Sequence, residues 1–130
     1  MASRIAVLNH YRPRIKFGRT VQRRELVEYI AQGTGLNEGE VILVLMELRD
    51  AIVHYNSYGR GVKLEGLGTY LPNINFQGVY DVAHRLDKDL KRGLNSATGH
   101  PDLINRKYIG KTSNELVALW NAAHPDDPVG

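Results

Sequence analysis

The 130-residue chain has no cysteine, one tryptophan and two phenylalanines. It also has no apolar run of membrane-crossing length. Each absence removes a class. Without cysteine there is neither a disulfide framework nor a thiolate metal site, which fits a reducing compartment such as the cytoplasm. The longest early apolar run, Ile5 to Leu8, is too short for a signal-peptide core or a bilayer span. The expectation is a soluble intracellular protein, long enough to bury its own core without staples.

Acid is missing from one region in particular. Residues 1–24 carry seven bases (Arg4, Arg12, Arg14, Lys16, Arg19, Arg23, Arg24) and no aspartate or glutamate, while residues 25–130 carry ten bases and fourteen acids. The overall net charge is only +3, so the asymmetry says more than the total. A basic arm on a mildly acidic body is an electrostatic footprint of nucleic-acid binding. The plain alternative is a solvated basic segment.

Catalytic constellations are missing too. His10, His54, His84, His100 and His124 are scattered, with no metal-ligand spacing and no carboxylate cluster beside them. Gly61 and Gly66 stand at the glycine interval of a phosphate loop, but Leu67 occupies the position that needs lysine. Gly59-Arg60-Gly61 lacks the third glycine of a dinucleotide motif, since Leu64 stands there. No enzyme activity, metal, cofactor or small-molecule substrate is expected.

What is present is an ordered series of elements. Residues 3–12 alternate enough to read as a strand, ended by Pro13. Thr20 is placed to cap a helix over 21–32, with Gly33 placed to stop it in a left-handed conformation. Asn37 and Glu40 form a capping box for a longer helix to about Asn56. That second helix is apolar well beyond one face, through Val41, Val44, Leu45, Leu48 and Ile52 widened by Ile42, Leu43, Met46 and Val53. Such a helix is covered on more than one side, which points to a partner subunit. Val62 and Leu64 alternate with Lys63 and Glu65, and Gly66-Leu67-Gly68 permits a corner or bulge.

A second strand follows over 69–76, where Pro72 implies an edge or a bulge. Gln77-Gly78 reads as a two-residue hairpin turn, residues 79–84 as a third strand, and 86–94 as a short basic helix frayed or ended by Gly93. Residues 95–112 are loop-like, with 104–109 a possible extra strand. Thr112 and Glu115 open a last helix, about 113–123, whose Leu116 and Trp120 cap the core or a dimer interface.

The order of helix pair, Arg60-Gly61-Val62 strand start, Gly66-Leu67-Gly68-Thr69-Tyr70 corner and basic Asp87–Leu94 segment resembles the HU and integration-host-factor family of small DNA-binding proteins. The opening Arg4-Ile5-Ala6-Val7 segment and the basic loop after it resemble extended, Bacteroidota-type HU-like proteins. The fold so implied is α+β: a two-helix hairpin, a small antiparallel sheet and a short helix, flanked by an N-terminal strand and a C-terminal helical extension. The corresponding division is a basic arm over 1–19, an HU-like core over 20–94 and an extension over 95–130.

The resemblance implies a homodimer on double-stranded DNA in the cytoplasmic nucleoid, with no membrane partner. Its phosphate contacts, carried over by position, are Arg23, Arg24, Arg60, Lys63, Lys88, Lys91 and Arg92, with Arg85 a further candidate. Lysine and arginine suit that role because they neutralise phosphates and release condensed counterions. Arg12, Arg14, Lys16 and Arg19 lie outside the matched core and are either a flexible phosphate-binding arm or a basic edge that discourages sheet aggregation. Val44, Leu48, Ile52 and Phe76 are the expected dimer contacts.

One departure stands out. The family bends DNA with long β-arms that wedge a proline into the minor groove. Only residues 71–84 separate the corner from the final helix here, so strong bending is not expected. Two other readings remain: an HU-fold scaffold that has lost DNA binding, and a winged helix-turn-helix regulator. The apolar 38–53 helix argues against the regulator, because a recognition helix needs a polar face.

Overall fold

A computed structural model describes residues 1–97 and 99–130. The chain divides into two compact units, one made of residues 1–19 and 99–130, the other of residues 20–98.

The first unit begins with a helix where the sequence predicted a strand. α1 spans Arg4–Tyr11, and Ser3 caps it by accepting the Ala6 N–H at 3.1 Å. Val7 and Tyr11 lie four residues apart, which places both on one helical face, and both are buried. The apparent alternation was helical spacing sampled over too few residues. Arg14–Ile15 forms β1, paired antiparallel with β5 (Leu103–Ile104) in the register Arg14↔Ile104 and Ile15↔Leu103. Asn105 then turns left-handed at φ 65° and a 3-10 turn follows over Arg106–Tyr108, so the expected 104–109 strand stops almost where it starts. α5 (Ser113–Ala123) is capped by Thr112, which accepts the Glu115 N–H at 3.2 Å. Val7, Tyr11 and Leu116 form the core of this unit, packed by Leu8, Tyr108, Val117 and Trp120. Both Leu116 and Trp120 are thereby engaged within their own unit.

The second unit holds α2 (Arg23–Thr34) and α3 (Glu38–Ser57). α2 starts two residues later than expected, behind Gln22, whose side chain makes no capping bond. It runs through Gly33 and stops at Gly35, which adopts φ 77°. Gly35 can take that left-handed conformation at no steric cost, which fixes the end of the helix. α3 begins as the sequence indicates, with Asn37 Oδ1 accepting the Glu40 N–H at 2.8 Å.

β2 (Val62–Leu64), β3 (Gly68–Ile74) and β4 (Tyr80–Leu86) then form an antiparallel sheet in the order β2-β3-β4. Pro72 therefore sits in the central strand rather than an edge strand. The pairing with β2 ends at Tyr70, so beyond that point one side of β3 is open and Pro72 disrupts no ladder there. The hairpin loop is three residues, Phe76-Gln77-Gly78, rather than two. Gly78 N–H bonds to Asn75 O, and Asn75 Oδ1 accepts the N–H groups of Gln77 and Val79. Gly78 at φ 81° supplies the left-handed step of such a loop. α4 (Lys88–Ser96), capped by Asp87, closes the unit and continues through Gly93.

Candidate nucleic-acid interface

Directly opposed residues of an antiparallel pair point to the same face. In this sheet Lys63 opposes Thr69, and Thr69 opposes Arg85. One straight row across three strands thus carries two exposed cations and a hydroxyl. The next pairs on that face are Leu71 with Ala83 and Asn73 with Asp81. Asp81 is the one acid along those rows.

The opposite face is apolar. Leu64, Gly68 and Leu86 form its first row, followed by Val62, Tyr70 and His84, then Pro72 with Val82 and Ile74 with Tyr80. A groove runs beneath it, lined by Val53 and Asn56 of α3 together with Pro72, Ile74, Tyr80 and Val82. The sheet is therefore two-sided, cationic at one end of its polar face and greasy on the other.

The remaining expected contacts fall on three other parts of the same unit. Arg60, just ahead of β2, lies over the Tyr55 ring at 5.3 Å from its centroid. Lys88, Lys91 and Arg92 lie along α4 at three- and four-residue spacings, which stack them on one side, while Leu90 and Leu94 take another. Arg92 reaches Asp89 at 3.6 Å across exposed surface, an ion pair too weak to withdraw it from other anions. Arg23 and Arg24 open α2, where the macrodipole disfavours cations and the unpaired N–H groups favour an anion. Arg24 is partly satisfied by Glu28 at 3.5 Å.

Arg12, Arg14, Lys16 and Arg19 belong to the other unit. The flexible-arm reading fails in part, because Arg14 is tied into a β-ribbon and Lys16 N–H bonds to Asp102 O at 2.8 Å.

Of the expected dimer contacts, Leu48 and Ile52 are half-buried, Val44 is 60% exposed and Phe76 is wholly exposed at the hairpin tip. Phe76 thus packs against nothing in its own chain. Leu43 and Val53, which the sequence marked as widening this apolar helix without placing them among the expected contacts, are as exposed as Val44 on the same helix. Their apolarity was visible, but their orientation depended on which face α2 covers.

A family model described as an HU domain fused to a winged helix-turn-helix, immunoglobulin or glycine-rich motif matches residues 7–93. The chain belongs to this HU-HIG family. The match runs from within α1 to within α4 and so takes in nearly all of the second unit. No curated protein matches the chain. The HU assignment agrees with an α+β unit of two helices, a small antiparallel sheet and a closing helix. It points to a DNA-binding architectural role rather than to an enzyme family. Residues beyond 93 lie outside the match. Residues 99–130 fold together with residues 1–19 into a helix pair and a two-stranded ribbon.

Proposed function

We propose that the protein is an HU-like architectural DNA-binding protein that grips duplex phosphates with little sequence preference and works as a homodimer in the cytoplasmic nucleoid. The observation that carries this reading is the cross-strand row Lys63–Thr69–Arg85 on the polar face of an HU-family sheet. Arg60 and the α4 set Lys88, Lys91 and Arg92 extend the cationic surface, and Arg23 and Arg24 add the α2 terminus. All are donors of the kind that hold phosphates and position a protein without reading bases. A three-residue loop on seven-residue strands leaves no arm to encircle the duplex, so bending is weak.

The homodimer rests on apolar surface. Among the described residues of the second unit the only buried apolar side chains are Val27 and Val41, while Leu43, Val44, Val53, Ile74, Val82 and others stay open. That is more apolar exposure than a stable monomeric unit tolerates. The groove beneath the sheet, continuous with exposed α3, suits a second copy.

The test is binding of a random duplex across a salt series. A cation that neutralises one phosphate contributes about 0.9 to the log–log slope. The double substitution of Lys63 and Arg85 by glutamine should therefore flatten it by about 1.8 for each subunit that contacts the duplex. An unchanged slope sinks the reading. One observation favours the scaffold alternative: residues 20–98 carry nine bases and ten acids, a net charge of −1. Absence of wild-type binding at low salt would decide for it.

A further inference from the structure

The positive charge of this protein is not where the family match is. Residues 1–19 and 99–130 together hold eight bases and four acids, a net charge of +4. The N-terminal part of that excess was visible in the sequence. What the fold adds is its meeting with a second basic segment from the other end of the chain.

The meeting point is the β1–β5 ribbon. Arg14 pairs with Ile104. Asn105 Nδ2 donates to Arg12 O at 3.0 Å and to His10 O at 2.8 Å. Arg106 and Lys107 follow Asn105 directly in the 3-10 turn. Two bases from each end of the chain, more than ninety positions apart, thus share one clamped structural feature. All four side chains are exposed. Among the described residues none of the four is ion-paired, although the unit has acids available. Two of its four acids are already engaged elsewhere: Glu115 with Lys111 at 3.8 Å, and Asp127 with the Met1 amino group at 3.1 Å. Asp102, beside the ribbon, is the one nearby acid that offsets it.

We propose that this terminal unit is a second duplex-DNA contact, with Arg12, Arg14, Arg106 and Lys107 as its phosphate-binding set. Three of the four are arginines, whose planar forks bind phosphate bidentately. The clamped backbone reduces the ordering cost of that contact relative to a loose tail. Duplex DNA is the favoured polyanion because the chain's other unit is of an HU family, and with that unit at net negative charge the terminal unit holds the chain's net positive charge. Two linked contacts also raise residence on one polymer by effective concentration.

This second contact rests on the DNA-binding reading and extends it, and one experiment separates the two. The full chain would be titrated against a random duplex of about 40 base pairs over a salt series, a length that spans several phosphate contacts. The ribbon variant R12Q/R14Q/R106Q/K107Q and the sheet variant K63Q/R85Q would be measured beside the wild type. Trp120 fluorescence reports whether the terminal unit stays folded, because the chain has no other tryptophan. If each ribbon cation neutralises one phosphate, the ribbon variant loses about 3.6 from the slope for each subunit that contacts the duplex. If it loses its Trp120 signal, R12Q/R14Q and R106Q/K107Q tested separately should each lose about 1.8 per contacting subunit.

A ribbon-variant slope equal to wild type, with Trp120 intact and the sheet variant flattened, overturns this inference and leaves the HU reading standing. The converse pattern keeps this inference and removes the sheet contact. No wild-type binding overturns both. Binding of the wild type to anionic phospholipid vesicles, abolished in the ribbon variant without change in the DNA slope, assigns the patch to membranes and overturns it as well.

Discussion

Among single residues, Asn105 and Gly68 carry the sharpest demands. Asn105 is the only non-glycine at positive φ among the described residues, and its amide nitrogen bonds two carbonyls of the N-terminal segment. Asparagine tolerates the left-handed conformation better than most residues. Asn105→Ala removes both bonds and keeps the backbone penalty, so it should destabilise the terminal unit by about 1–3 kcal/mol. A thermal melt followed at Trp120 measures it, and an unchanged midpoint would dismiss the clamp. Gly68 poses a steric problem: a methyl at its Cα would run into the Arg85 carbonyl and the His84 ring. Gly68→Ala should break the β3–β4 pairing at its base and cost several kcal/mol, as strained or overpacked sites do. Denaturant unfolding followed by far-UV circular dichroism is the check.

Helices and strands show how much the sequence revealed. Capping signals were reliable where a side chain does the capping. Asn37 and Thr112 both bond the N–H three residues on, and α3 and α5 begin where those residues indicate. Glycine stops were less so, since Gly33 and Gly93 lie inside helices and Gly35 is the stop. A glycine terminates a helix only where packing lets the chain leave, and the sequence does not state that. α1 was illegible as a helix because eight residues with two buried positions fit either period, and its partner α5 lies about a hundred residues away. In the candidate site, the Lys63–Arg85 row was half-legible: both bases were singled out, but their shared face followed only from the strand register.

The stacked pair at the end of α5 gives an element-level prediction. The His124 ring lies on Trp120 at 3.7 Å and 16°, and His10 meets the same indole edge-on at 5.4 Å. His124→Ala should cost about 0.5–1.5 kcal/mol beyond lost area and change the Trp120 emission. Identical emission and stability would show the stack to be incidental.

For the molecule as a whole, the expectation concerns assembly. Sedimentation of the 14.6 kDa chain should give a dimer at micromolar concentration. Val44→Asp and Val53→Asp, on exposed α3 surface, should each yield monomer or loss of fold, because dimer and subunit stability are linked by mass action. A monomeric wild type would leave the groove beneath the sheet without its proposed occupant. The division of charge between +4 and −1 units appeared only when the fold assigned residues 99–130 to the N-terminal segment. Along the linear sequence their bases are diluted by the acidic body between.

A unit assembled from two segments some eighty residues apart has a history imposed on it by synthesis. The 20–98 unit is complete once its last residue leaves the ribosome, whereas residues 1–19 wait without their partners until residues 99–130 emerge. Helix α1 is too short to persist alone in water, so the basic N-terminus spends that interval as an unfolded polycation. Joining the ends closes a loop of roughly eighty residues, an entropic cost that grows only slowly with length but slows the search for the contact. The pairing of these two segments can follow only once residues 99–130 have been made, so the basic ribbon marks chains in which both segments have been synthesised.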